Sequence, residues 1–177
     1  MVRRRAEAPP VRIAKIAKAS QHLVLEQGAC DHFVRQRQHP SDASEAGGQI
    51  FGSVTDECVR VVVATGPYVG DVRSRYSYRS DPRSAQREIS RQAALGLLYL
   101  GEWHTHPEAY PQPSSHDREA AKTLFHRSRL NTNALLSIIV GQGSGSESIA
   151  VFRNDGVSLR RLSWSSSVDL EAVPAGV

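Results

Sequence analysis

Hydrophobic residues along the chain recur with two periods, one typical of strands and one typical of helices. Short runs rich in β-branched and aromatic residues predict strands, because these side chains pack well on the pleated surface of a sheet. The predicted strands cover residues 21–25, 50–54, 59–64, 99–103, 135–141, 148–152 and 157–162. A polar turn at 55–57 joins the second and third of these runs into a predicted β-hairpin.

Three longer segments carry a helical period, with apolar residues three or four positions apart. They span residues 28–38, 83–98 and 115–127, and Pro40 ends the first of them. Cys30, Phe33 and Val34 share one side of the first helix. The side chains expected to be buried are Ala85, Ile89, Ala93 and Leu97 in the second helix, and Ala120, Ala121, Leu124 and Phe125 in the third. A long loop is expected at 66–81.

The predicted order of elements is β-α-β-β-α-β-α-β-β-β. This order indicates an α/β fold, or an α+β sandwich, built around a mixed sheet. A chain of 177 residues has the length of one domain. We expect that domain at residues 20–163, between a flexible N-terminal segment at 1–19 and a flexible C-terminal tail at 164–177.

The composition excludes several classes of protein. With 40% hydrophobic and 23% charged residues, the chain is neither disordered nor fibrous. The longest apolar run, residues 135–140, is far shorter than the ~20 residues of a membrane span, so we expect no membrane association. The two cysteines, Cys30 and Cys58, lack the spacing of a disulfide framework or a zinc pair, which favours a cytoplasmic location.

The net charge of +4 comes largely from arginines. Arg79, Arg83, Arg87 and Arg91 recur every four residues and form a basic stripe. A solvated helix face explains this stripe better than a surface for RNA or for an acidic partner. We therefore expect no nucleic-acid partner.

One segment is dense in residues that bind metals. In an extended strand, side chains two positions apart point to the same face, so His104 and His106 can direct their imidazoles to one point. The loop that follows contains three prolines and can hold Asp117, in the first turn of a helix, facing this pair. Two histidines and one carboxylate leave a fourth tetrahedral position for water, as in catalytic zinc sites.

A second interpretation explains part of this segment without a metal. Ser114 and Asp117 have the spacing of a helix-capping signal, with Ser114 as the N-cap residue. In addition, the histidines of a His-x-His pair more often lie on the surface or in the core without binding a metal than they form a metal site. Capping does not explain two histidines at the end of a strand, and capping and ligation can coexist.

The residues from His104 to Asp117 resemble the signature of the JAB1/MPN/Mov34 (JAMM) zinc metalloproteases. The resemblance rests on His104-Thr105-His106-Pro107, on ten residues between His106 and Asp117, and on Ser114 three positions before that aspartate. Glu45, followed by Ala-Gly-Gly-Gln-Ile-Phe-Gly, is similar to the upstream glutamate of the family beside its glycine-rich strand. The resemblance covers roughly residues 20–163.

Within this family, the chain looks most like the stand-alone bacterial JAB proteins of conjugative elements and antiphage ubiquitin-like conjugation systems. The segments that carry this likeness are Gly101–Trp103 and Arg79–Asp81 with Gln86. The resemblance implies an MPN/JAB-like, cytidine-deaminase-like fold with a curved mixed sheet flanked by helices.

The resemblance also implies roles for five residues. Zn²⁺ would be held by His104, His106 and Asp117, with Glu45 as general base and then acid and the Ser114 hydroxyl stabilising the oxyanion. The competing interpretation of Glu45 is an exposed loop carboxylate, which is common in a polar stretch such as 41–44. His116 is expected to point away from Asp117, and Trp103 is expected in the core.

The function implied by the resemblance is a zinc-dependent isopeptidase that cleaves after the C-terminal tail of a ubiquitin-like modifier. Its partners would be the modifier or its conjugate and E1-like and E2-like proteins of the same system. An extended tail could add as a strand to the loop at 66–81. One alternative is another JAMM-type zinc amidohydrolase or peptidase that acts on a carrier-protein adduct or on a cell-wall or phage peptide. A second alternative is a non-catalytic scaffold or a nucleic-acid-binding module.

Overall fold

The computed structural model describes residues 12–15, 21–40, 42–130 and 132–164. These residues form a mixed β-sheet with three helices. The strands are β1 Arg12–Lys15, β2 His22–Leu25, β3 Gly47–Val54, β4 Cys58–Ala64, β5 Val72–Ser74, β6 Ser77–Arg79, β7 Leu98–Thr105, β8 Leu135–Val140, β9 Ile149–Asn154, β10 Leu159–Arg161 and β11 Ser163–Trp164. The helices are α1 Gln27–Arg35, α2 Pro82–Ala94 and α3 Ser115–Arg127, and a short 3-10 turn, Ser146–Ser148, precedes β9.

The main sheet of these residues has the strand order β10-β9-β8-β7-β3-β4-β2-β1-β11. The pairs β2/β4 and β7/β8 are parallel and the others are antiparallel, so the sheet is mixed. Leu162 alone separates β10 from β11, although these strands end opposite edges of the sheet. The sheet must therefore curl until its edges meet. The indole Nε1 of Trp164 donates to the Ile149 carbonyl at 3.0 Å across this junction.

The hydrophobic core lies inside the curl and against α1. Trp103, Phe33, Ile50 and Ile138 are fully buried there. The Phe33 and Trp103 rings lie 5.3 Å apart, which joins α1 to the centre of β7. Because side chains alternate along a strand, the residue after Trp103 faces the opposite side of the sheet. The core thus fixes the direction of His104.

The α/β class and the curved mixed sheet are confirmed, as is the placement of Trp103 in the core. Every predicted strand and helix has a counterpart within a few residues. The expected loop at 66–81 is partly wrong, because β5 and β6 pair there as a small antiparallel hairpin. Three-residue strands with exposed polar side chains carry no hydrophobic period that a sequence could reveal.

The predicted buried stripe of the second helix is wrong in part. The helix ends at Ala94, so Leu97 lies outside it, and Ala93 is exposed. The residue of α2 that is fully buried is Gln92, whose Nε2 donates to Glu88 Oε1 at 2.8 Å. Asp81 caps this helix by accepting from the Ser84 amide at 2.8 Å. The inward face of α2 is therefore more polar than its aliphatic spacing suggested.

The predicted buried set of the third helix also needs correction. Ala121 is buried, Leu124 and Phe125 are partly buried, and Ala120 is exposed. The first two turns of α3 border an open groove, so their apolar side chains line that groove rather than a closed core.

The predicted domain limits fall near the ends of the described residues. Strand β1 lies inside the segment 1–19, where the sequence indicated no element, and β11 extends to Trp164. Most of the segments expected to be flexible lie outside the described residues, so the boundaries stay predictions. No helix among the described residues is long and apolar enough to cross a membrane.

Candidate metal centre

Two histidines stand at the end of the central strand β7. His104 and His106 point to the same side because Thr105 lies between them in extended backbone. The amide of His106 donates to the Val140 carbonyl at 2.9 Å, which keeps this residue in register with β8 just beyond the strand end. As a result, the two Nε2 atoms lie 3.1 Å apart.

Asp117 reaches the pair from the first turn of α3. The loop before this helix is anchored by Pro111 and Pro113, which are both buried. Asp117 Oδ1 lies 3.3 Å from His104 Nε2, and Oδ2 lies 3.3 Å from His106 Nε2. The structure thus brings together the three side chains that the sequence proposed as ligands.

The capping interpretation of Ser114 is also observed. The Asp117 amide donates to Ser114 Oγ at 3.1 Å, and Asp117 Oδ2 accepts from the Ser114 amide at 2.7 Å. These two bonds form a capping box. The Ser114 hydroxyl also donates to Asp117 Oδ2 at 2.7 Å. One aspartate therefore caps the helix and faces the histidines at the same time.

The donor atoms fit a tetrahedral metal ion. Bonds of about 2.0–2.1 Å to such an ion place two ligand atoms about 3.3–3.4 Å apart. His104 Nε2 and His106 Nε2 lie 3.1 Å apart, and each of them lies 3.3 Å from a different oxygen of the Asp117 carboxylate. These residues form a cluster within the described chain that could hold a metal ion. Two imidazoles and one carboxylate match the ligand set of catalytic zinc sites.

Glu45 lies beside this cluster and is held there by main-chain bonds of its neighbour. The Ala46 amide donates to Thr105 Oγ1 at 2.9 Å, and the Thr105 amide donates to the Ala46 carbonyl at 2.8 Å. This pairing places Glu45 Oε1 4.0 Å from His106 Nε2. Glu45 is only 4% exposed, so the interpretation as an exposed loop carboxylate is wrong.

The glycine pair after Glu45 has a steric reason. A Cβ atom on Gly47 would contact the Tyr78 ring and would lie 2.7 Å from the Trp103 carbonyl oxygen. A Cβ atom on Gly48 would overlap the Thr65 carbonyl. Without side chains, the start of β3 can pass close to β7, to the hairpin and to the segment that follows β4. The glycines therefore allow the approach that brings Glu45 to the cluster.

Burial and neighbouring charges shift the pKa values of the cluster. Burial raises the pKa of Glu45 to about 7, and the charges of Asp117 and Glu108 add to the effect, against an opposing contribution from His106. Burial would lower the pKa of His106, but hydrogen bonding and charge from Asp117 overcome it and raise that pKa. Despite its own burial, Asp117 has a pKa far below the usual range because it accepts bonds from both histidines.

The cluster opens into a groove with a volume of about 370 Å³. The hairpin, α3 and parts of the main sheet border it. The lining residues outside the cluster include Arg75, Tyr76, Ser77 and Tyr78 of the hairpin, Ala120, Ala121 and Leu124 of α3, and Glu102, Ser137, Ile139 and Leu159 of the main sheet. His116 lies at the rim and is exposed.

Sequence reasoning missed the contacts that hold Glu45 from the hairpin side. The Glu45 amide donates to the Ser74 carbonyl at 2.7 Å, and Arg73 Nε donates to the Glu45 carbonyl. It also missed Thr105, whose position between two proposed ligands was the one available signal. His32 packs edge-on against Trp103, with the ring centroids 5.3 Å apart, another contact that the sequence did not indicate.

The metal-free protein should lose stability as the pH rises through 7. The pKa of His106 is raised above 6.5, so its contribution is complete below 6.5 and is lost as the pH passes the raised value. The raised pKa of Glu45, about 7, acts in the same direction, because the folded state holds this proton more tightly than the unfolded state. Thermal midpoints measured with a chelator at pH 6, 7 and 8 should fall in that order.

A His106→Gln variant isolates the histidine in this experiment, and its midpoint should change less over the same pH range. Identical pH dependence in the variant and the wild type would contradict the assignment to His106.

Comparisons with known proteins agree with this geometry. The family described as prokaryotic homologs of the JAB domain matches residues 26–154. A CD-NTase/cGAS isopeptidase from Pseudomonas aeruginosa is 37% identical over 114 residues, which are 62% of this chain and 72% of that protein. A CD-NTase/cGAS isopeptidase from Vibrio cholerae is 35% identical over 103 residues, 55% of this chain and 62% of that protein.

A solved structure supports the fold. The solution structure of a protein from Desulfitobacterium hafniense has a TM-score of 0.55 and 18% identity, and the match covers 77% of this chain and 87% of that one. The matched region includes Glu45, His104, His106 and Asp117. The chain therefore belongs to the prokaryotic JAB-domain family.

Proposed function

We propose that this protein is a zinc-dependent isopeptidase that hydrolyses the amide bond after the C-terminal tail of a ubiquitin-like modifier. Family membership and two relatives named isopeptidases support the coarser statement, a JAB-type peptidase. The observation that carries the proposal is a convergence of side chains: two histidine Nε2 atoms lie 3.1 Å apart, each lies 3.3 Å from an oxygen of the Asp117 carboxylate, and the buried Glu45 carboxylate lies 4.0 Å from one of them. Such a set suits hydrolysis of an amide.

His104, His106 and Asp117 would hold the zinc ion in this proposal. A bound zinc ion supplies a Lewis acid that acidifies water and polarises a carbonyl group. Glu45 would accept the proton of the attacking water at its carboxylate and deliver it to the departing amine. A pKa near 7 suits both steps, and a nearby cation would favour the accepting, ionised form.

Ser114 would donate its hydroxyl to the substrate oxygen on which negative charge develops. In this structure the hydroxyl donates to Asp117 Oδ2 instead, at 2.7 Å. Rotation about the side-chain bond would redirect the proton, because a hydroxyl turns freely to suit its acceptor. Asp117 would retain the Ser114 amide as a donor during this change.

Two substitutions at Ser114 should separate catalysis from capping. Ser114→Ala and Ser114→Gly should both lower kcat by about 10²–10³-fold, the effect of losing one oxyanion donor. Stability should differ, since Ala at an N-cap costs about 1 kcal/mol and Gly only a few tenths. Rates and thermal midpoints of both variants check this expectation. If the loss of kcat in the two variants instead parallels their loss in thermal midpoint, Ser114 acts only as a capping residue.

The hairpin offers a surface for an extended tail. Its turn, Arg75 and Tyr76, and its second strand β6 border the groove on the side of Glu45. An extended peptide can bind by adding a strand to such an edge, with main-chain hydrogen bonds supplying affinity. A tail bound in this way would pass between the hairpin and α3 and reach the cluster with its last carbonyl group.

The residue before the scissile bond should be small. Strand-like binding brings the peptide backbone close to the sheet, and a bulky side chain would hold the carbonyl away from the metal. Fusions of a ubiquitin-like protein whose tail ends in Gly or Ala should be cut. The same fusions ending in Phe or Leu should be cut at least ~10²-fold more slowly.

A flexible peptide of equal length, without a modifier domain, is the control for this assay. Equal rates on all substrates would overturn modifier specificity and support the alternative of a general zinc peptidase.

The remaining assignments belong to the same proposal. E1-like and E2-like proteins of the same bacterial system would be partners, and the activity would lie in the cytoplasm. The metalloprotease unit would comprise residues 20–163. The scaffold alternative has less support, because a non-catalytic module would not need three ligand atoms and a buried carboxylate at these distances.

A further inference from the structure

A row of polar side chains crosses the three central strands next to the metal cluster. Gln49 of β3 is the register partner of Glu102 of β7, and Glu102 is the partner of Ser137 of β8. Glu102 lies two residues before His104, so both side chains face the groove, about 6.6–6.8 Å apart along the strand. Glu102 and Ser137 are therefore part of the groove floor, and Gln49 lies buried beside them.

The Glu102 carboxylate can accept more hydrogen bonds than the protein supplies. Within the described chain its hydrogen-bond donor is Gln49 Nε2, at the long distance of 3.4 Å. The same Nε2 lies 3.2 Å from Ser80 Oγ, and Gln49 Oε1 accepts from the Tyr68 hydroxyl at 2.8 Å. A carboxylate can accept about four hydrogen bonds, so Glu102 keeps capacity for further donors. A ligand in the groove could supply such donors.

Apolar side chains line the same groove. They include Ala120 and Leu124 of α3, Ile139 of β8 and Leu159 of β10. The small side chains at positions 120 and 121 leave space between α3 and the sheet. A slot with apolar walls, the Glu102 carboxylate and the Ser137 hydroxyl would suit one kind of side chain. That side chain has a long aliphatic stem, which packs against the walls, and a cationic head, which binds the carboxylate.

We propose that this slot binds a lysine or arginine side chain of the substrate tail and makes Glu102 a specificity determinant. The slot consists of Glu102 and Ser137 at the base and Ala120, Leu124, Ile139 and Leu159 as walls. An extended chain rises about 3.3 Å per residue, so the spacing from His104 places this side chain about two residues from the scissile carbonyl. The inference rests on the proposed function, since it assigns a subsite to the same groove.

Binding of short peptides tests the slot without relying on catalysis. The probes are fluorescently labelled pentapeptide amides ending in Gly-Gly, with norleucine at the other positions. A lysine replaces one norleucine at a time, which adds only a cationic head to the same stem. Affinity for the zinc-loaded full chain, measured by fluorescence anisotropy, should be about 10-fold higher for lysine at one position than for the all-norleucine peptide.

Two variants assign this preference. Glu102→Gln keeps the shape and removes the charge, so the ratio of the two affinities should fall to about one. Glu57→Gln removes a carboxylate from an exposed turn at the far end of β3 and should keep the wild-type ratio. If the wild-type protein bound all peptides with equal affinity, the proposed slot would be wrong. This comparison uses the wild-type protein alone, so it does not depend on the folding of any variant. A ratio unchanged by Glu102→Gln would overturn the role of Glu102.

Hydrolysis of a Gly-ended modifier fusion separates this inference from the proposed function. A lysine preference in binding without any hydrolysis would leave the slot standing and overturn the isopeptidase. Hydrolysis together with equal affinities would overturn the slot and leave the isopeptidase standing.

Discussion

Replacing Glu45 by Gln should lower kcat by about 10²–10⁴-fold, the usual contribution of a general base. The amide is nearly isosteric with the carboxylate but cannot accept a proton from water. Because Glu45 lies 4.0 Å from His106 Nε2 and bonds to no proposed ligand, zinc content and thermal midpoint should stay near those of the wild type. The measurements are steady-state kinetics on a Gly-ended modifier fusion, elemental analysis and thermal unfolding.

Glu108→Gln is a matched control for this variant. Glu108 Oε2 also lies 4.0 Å from the His106 ring, at Nδ1, but its side chain is exposed. If the fall in kcat depends on where the Glu45 carboxylate lies, and not merely on a negative charge near His106, Glu108→Gln should change kcat by only a few-fold. Loss of zinc in Glu45→Gln would make Glu45 a ligand, and unchanged turnover would move the general base to another residue.

Loss of one proposed ligand should remove both zinc and activity. His104→Ala or Asp117→Ala leaves two of the three donor atoms, too few for a stable catalytic zinc site. Metal that binds only the folded protein adds to its stability, so the zinc-dependent rise in thermal midpoint should also disappear. Elemental analysis, kinetics and unfolding with and without zinc check these outcomes together.

Asp117 needs a variant that keeps its capping role. Asp117→Asn retains an oxygen that can accept the Ser114 amide, whereas Asp117→Ala removes the capping box. The alanine variant should be less stable than the asparagine variant, and both should lack zinc. His116→Ala changes the exposed neighbour at the rim and should keep about one zinc per chain. About one zinc per chain in His104→Ala or Asp117→Asn would contradict the ligand assignment.

The sequence predicted that His104, His106 and Asp117 come together, because the determinants of this geometry are local. The alternation of β7 sets the direction of His104 and His106, and the capping signal of Ser114 and Asp117 sets the start of α3. Both patterns span a few residues, and both are readable from spacing alone.

The position of Glu45 could not be derived in this way. It depends on the pairing of Ala46 with Thr105, which is 59 residues away, so only the family resemblance indicated it. The hairpin β5–β6 was missed because its residues are mostly exposed and polar. The aliphatic period of α2 overstated its burial, since Gln92 rather than Ala93 faces inward. Contacts between distant segments decide these features, and hydrophobic period does not encode them.

The most direct test of the account is removal and return of the metal. A chelator removes the metal from the full chain, and elemental analysis verifies that no metal remains. Zinc is then added in steps while hydrolysis of a Gly-ended modifier fusion is measured. The account predicts no hydrolysis without metal and recovery that is complete at about one zinc per chain. Full hydrolysis by protein verified to be free of metal would contradict the account.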